Sequence, residues 1–70
     1  MSNHYRCRIR ANEVEESAAM DVAGYSRLTP ESRGTRFVIF TAQNKVQAQA
    51  NVKAALGGLF RQGLHQVTNS

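Results

Sequence analysis

Residues 4 to 11 alternate strictly. Tyr5, Cys7, Ile9 and Ala11 are apolar or small, and His4, Arg6, Arg8 and Arg10 stand between them. An extended strand separates two such sets cleanly, because successive side chains point to opposite faces. Wound as a helix, the same residues scatter around the axis and bury guanidinium groups among apolar side chains. The segment therefore reads as a strand, with an apolar row turned inward and a basic row turned to solvent. That reading constrains everything after it: a strand with one wet face needs a partner strand beside it and a second layer over its apolar side.

The rest of the chain offers both. Arg36 to Thr41 reads as a second strand, β-branched and aromatic, apolar on both faces through Phe37-Val38-Ile39-Phe40. Residues 21–28 read as a further strand, interrupted or bulged at Gly24. Thr29 to Gly34 reads as a turn, in which Pro30 presets φ and Gly34 tolerates positive φ. From Gln43 to Leu56 the residues are good or fair helix formers, with Thr41 or Asn44 as cap and Gly57-Gly58 as stop. Ala48, Val52, Ala55, Leu56 and Leu59 follow the three-and-four spacing of one buried stripe. Two readings stay open for residues 12–20. Asn12 with Glu15 resembles a capping box, and Glu13, Glu15 and Glu16 suit a first helical turn; equally, Val14 could continue the first strand. Leu59 to Val67 reads as a final short strand or an extended arm.

The expected fold is α+β, one domain over residues 1–70. A small antiparallel sheet of two to four strands carries one α-helix, from the C-terminal half, across one face as a two-layer sandwich. The expected core is Cys7, Ile9, Val22, Leu28, Phe37, Ile39, Val52, Leu56, Leu59 and Phe60.

Charge is segregated along the chain. Residues 1–12 hold three arginines and no acid, residues 13–31 hold all five acids with Arg27, and residues 32–70 hold five basic residues and no acid, for a net charge of +4. Folded, these blocks either form a basic face and an acidic edge or neutralise each other in space. The single cysteine, Cys7, excludes an internal disulfide and suits a reducing compartment. The longest apolar run, Phe37 to Phe40, is far too short to cross a membrane. No apolar export signal opens the sequence, so the expected location is the cytoplasm.

Catalysis finds no support in the residues. The glutamates cluster in one acidic stretch, no nucleophile elbow or phosphate loop is present, and alternation puts the arginines on the face opposite Cys7. No Cys/His group has metal-ligand spacing, and neither a cofactor nor a small-molecule substrate is expected. His4 and His65 read as surface or partly packed residues, and Lys53 and Arg61 as soluble surface.

The arginine row is the informative feature. Residues two apart on a strand lie about 6.5–7 Å apart, close to the spacing of successive phosphates along a single nucleic-acid strand. If Phe37 and Ile39 meet the helix, then Arg36, Val38 and Phe40 join that row on the outer face. Lys45 falls in the first turn of the helix, where the dipole favours a bound phosphate. The candidate set for nucleic-acid or partner binding is therefore Arg6, Arg8, Arg10, Arg36, Phe40 and Lys45.

Asn44 to Leu56 shares Lys45 and an Ala/Leu pattern with the last helix of the double-stranded-RNA-binding domain. It lacks the rest of that family's basic cluster, and no helix precedes the strands, so no function is carried across. In size the chain is similar to small phage- and mobile-element-encoded inhibitors such as anti-CRISPR proteins, with no shared motif. Two functions are carried forward. One is a non-catalytic binding module whose basic sheet face engages nucleic acid or a nucleoprotein. The other is a protein–protein module, an inhibitor or a homodimer joined through the open sheet face.

Overall fold

The computed structural model describes residues 2–59 and 64–67. In chain order the elements are β1 (Asn3–Arg10), α1 (Glu13–Ala19), β2 (Tyr25–Leu28), β3 (Thr35–Ala42), α2 (Lys45–Leu56), a 3-10 turn (Gly57–Leu59) and β4 (Leu64–Gln66). The strands form one four-stranded sheet in the order β2-β3-β1-β4, with every neighbouring pair antiparallel. A βαββαβ chain with β1 and β3 central is the split βαβ, or ferredoxin-like, arrangement. Many functions share it, so the topology alone assigns none.

The expected α+β sandwich is present, with two helices where one was expected. The open question at residues 12–20 resolves to a helix, and its cap supplies the reason. The Asn12 side chain accepts from the Glu15 backbone N–H at 2.8 Å. The Glu15 carboxylate reaches back to accept the Arg10 backbone N–H at 2.9 Å and the Asn12 amide at 3.4 Å. Glu15 is only 8% exposed, so the end of β1 and the start of α1 are tied by one sheltered carboxylate. A strand running on through Val14 would forgo these hydrogen bonds, each worth about 0.5–1.5 kcal/mol net. Asn44 caps α2 in the same manner, accepting from the Gln47 N–H at 2.8 Å.

The core lies between the sheet and the helices. Tyr5, Cys7 and Ile9 of β1 and Val38, Phe40 and Ala42 of β3 form one cluster with Ala19, Val22, Ala48, Val52 and Leu56. Tyr25, Leu28, Ala18 and Ala55 pack at its margin. Tyr5 and Phe40, opposite each other in register, stack with centroids 6.0 Å apart.

The expected core needs correction on β3. Phe37 and Ile39 lie on the other side of the sheet, and Val38 and Phe40 take the buried places. Register is the cause: Cys7 pairs with Val38 and Tyr5 with Phe40, and paired residues share a face. Phe60 and the Leu59 side chain lie outside the described residues.

Two backbone features shape the β2–β3 pair, one at each end. Gly24, with φ +84°, lies where a Cβ would meet the Thr41 carbonyl oxygen at 2.1 Å. The Thr41 N–H donates to the Gly24 carbonyl at 3.0 Å. Only glycine fits such an approach. At the hairpin tip, Arg33 and Gly34 both take positive φ, 53° and 78°. Ser32 and Thr35 exchange backbone hydrogen bonds across them at 2.9 and 3.0 Å. Two positive-φ residues between paired strands are the signature of a type I′ turn, whose twist matches the strands it joins.

Candidate nucleic-acid interface

The helices pack on one face of the sheet, and no described element covers the other. In register, that open face carries His4, Arg6, Arg8 and Arg10 on β1 opposite Thr41, Ile39, Phe37 and Thr35 on β3. Arg27 of β2 lies beside Ile39. Tyr25 and Leu28 both pack on the core, while Arg27 between them is exposed. A register irregularity between Tyr25 and Arg27 makes this possible, since an inserted residue resets the alternation. The bulge therefore sits within β2, at Ser26, two residues beyond the expected position at Gly24.

Arg6, Arg8 and Arg10 are all exposed. Their side chains make no hydrogen bond or ion pair with any described residue; the one ion pair among the described residues joins Arg36 to Glu16. All five acids of the chain are among the described residues. The acidic block does not neutralise the row, because Glu13, Glu15 and Glu16 are held on α1, in the helical layer. The row on β1 thus stays apart from the α1 acids, whereas Arg36 of the C-terminal basic block is neutralised by Glu16.

Phe37 is half-buried in the middle of this basic face. The Arg6 guanidinium carbon lies 4.8 Å from the centre of its ring, within cation–π range. Ile39, between Arg6 and Arg27 in register, is 9% exposed although it belongs to the open face. Long arginine stems flanking an apolar side chain can shelter it while their charged ends stay in water. The result is a small apolar floor of Phe37 and Ile39 ringed by cations.

Three of the expected site residues sit elsewhere. Arg36 belongs to the core-side phase of β3, opposite Ile9. Its Nε donates to Glu16 Oε2 at 2.9 Å and its Nη1 to the Thr29 carbonyl at 2.9 Å. It closes the rim between α1 and the β2–β3 loop and is spoken for. Phe40 is fully buried under the helices and cannot touch a partner. Lys45 is exposed at the start of α2, in the layer on the far side of the sheet from the arginine row. Conversely, Phe37, Ile39 and Arg27 were absent from the expected set. Thr35 and Thr41 were the available signal for the first two: they bracket Phe37 and Ile39 in the same phase, and polar residues at both ends of a phase mark the wetter side.

Cys7 lies beneath the sheet, fully buried. Burial pushes its thiol up to about 11, so the neutral form prevails and the group behaves as a small core residue. No family model matches this chain, and neither a curated protein nor a solved structure matches it significantly.

Proposed function

We propose that this protein is a small, non-catalytic nucleic-acid-binding module that works through the open face of its sheet. The observation that carries the reading is the row of Arg6, Arg8 and Arg10, exposed, on one strand and without a carboxylate partner among the described residues. A free cationic row at a pitch of about 6.5–7 Å suits a polyanion of regular charge spacing. Displacement of that polyanion's counterions supplies the binding free energy. Arg27 widens the same field towards β2. Such a module acts by occlusion or tethering and reads little sequence, because phosphate contacts position a ligand without specifying bases.

The competing idea of a homodimer joined through this face meets a charge objection. A two-fold interface sets a patch against its own copy, which here opposes one arginine row to another. Like charges brought together in a drying interface disfavour association.

The test is fluorescence anisotropy of a labelled oligonucleotide with the wild type and with Arg6→Gln/Arg8→Gln/Arg10→Gln. The wild type should bind in the micromolar range at low salt, and the triple variant should bind at least tenfold more weakly, by about the loss of three phosphate contacts. Equal binding by both proteins, or none by the wild type, removes the reading.

A further inference from the structure

The floor of the basic face bears on which kind of nucleic acid fits it. Counterion release alone draws duplex and single strand alike, since both present phosphates. Phe37 is different. Its ring lies half-buried in the sheet, directly opposite Arg8 in register, and under the Arg6 guanidinium at 4.8 Å. Arg6 itself stays exposed. An arginine resting on a ring has a planar, weakly hydrated group that can take a second flat partner. Unpaired bases are such partners, and proteins stack them on aromatic rings and on guanidinium planes. A base inside a duplex has both faces covered by its neighbours and cannot enter the stack.

We infer that Arg6 and Phe37 together seat one unpaired base, so that the ligand of this face is a single strand, with Arg8 and Arg10 holding the adjoining phosphates. The inference rests on the nucleic-acid reading above and adds a division of labour to it. Arg8 and Arg10 act through charge, whereas Arg6 acts through its shape as well. Replacing Arg6 by lysine keeps the charge and removes the plane. Replacing Phe37 by leucine keeps an apolar floor and removes the ring.

Anisotropy titrations with oligo(dT), oligo(U), an abasic strand with the same number of phosphates, and a duplex of the same length separate the two claims. The wild type should prefer either base-bearing single strand over the abasic strand and the duplex, by roughly five- to hundredfold, the value of one base stacked on an aromatic side chain. Arg6→Lys and Phe37→Leu should each lose most of that preference while keeping the wild-type salt dependence, and Arg8→Lys should retain both. The difference between the oligo(dT) and oligo(U) arms distinguishes a DNA from an RNA strand. Far-ultraviolet circular dichroism confirms that each variant is folded, and Arg6→Lys, at an exposed position, keeps the test valid if Phe37→Leu does not fold.

If the wild type binds every probe equally, with normal salt dependence, the base seat is refuted and the nucleic-acid reading stands. Full preference retained by Arg6→Lys refutes the base seat in the same way. If the wild type binds none of the probes, both fall.

Discussion

Phe37 and Phe40 are the same residue type on one strand, three positions apart, and the structure gives them opposite duties. Replacing each by alanine therefore tests the register of β3, on which the open face depends. Phe40 is fully buried and stacks on Tyr5 at 6.0 Å. Its truncation removes a large apolar side chain and leaves a cavity, at a cost of about 3–5 kcal/mol. A chain of 70 residues has about 3.5–10 kcal/mol of total stability at the usual 0.05–0.15 kcal/mol per residue. Phe40→Ala should thus consume between a third and all of it and lower Tm by more than about 12 °C. Phe37 is half-buried, faces away from the core, and loses with its ring a cation–π contact worth about 0.5–1 kcal/mol. Phe37→Ala should cost about 1 kcal/mol. Urea titration followed by circular dichroism measures both. Should Phe37→Ala prove as damaging as Phe40→Ala, the strand is out of phase by one residue, because a slip of one exchanges the faces of every side chain. The proposed surface would then be wrongly built.

Three further expectations concern the scaffold. Gly24→Ala places a methyl group 2.1 Å from the Thr41 carbonyl oxygen at a φ of +84°; with left-handed strain of about 1–2 kcal/mol and overpacking of about 1–3 kcal/mol, its thermal transition should fall by at least 8 °C or so. Arg33→Asn should move the other way, raising Tm by a few degrees, since asparagine tolerates the positive φ at the first position of a type I′ turn better than arginine does. Cys7 gives a pH signature: burial raises its thiol from 9.0 to about 11, so the folded state keeps a proton that the unfolded chain loses. Stability is then full below the unfolded value and falls as pH rises from 9.0 towards 11, by about 2–3 kcal/mol in all. Urea midpoints measured across that range should drop in the wild type and drop less in Cys7→Ala.

How much of this was legible in the sequence follows from where alternation carries phase. In β1, a guanidinium at every second position marks the wet face without ambiguity, and the structure has Tyr5, Cys7 and Ile9 inside. In β3, Phe37-Val38-Ile39-Phe40 is apolar in both phases, so the residues themselves do not say which pair is core. The pairing of Cys7 with Val38 decides it, and that is a tertiary fact. Arg36 misled for the same reason. A charged residue next to an apolar run looks outward, yet here it finds Glu16 twenty residues earlier in the chain, a partner that sequence distance hides. Residues 12–20 held both of their helix signals, Asn12 and Glu15, but a seven-residue helix is too short for periodicity to arbitrate against a strand. Arg27 was unreadable because the bulge in β2 shifts its phase.

The central claim is that a cationic row on the open sheet face binds phosphates, and its most direct test is the salt dependence of oligonucleotide binding. With three arginines each neutralising one phosphate on a single strand, log K should fall against log salt with a slope of about −2, a loss of about a hundredfold over a tenfold increase in salt. Arg8→Gln should flatten the slope by about 0.7. Arg36→Gln, which acts on the other side of the sheet, should leave it unchanged. A wild-type slope near zero, or a slope that responds to Arg36 as it does to Arg8, would contradict the account.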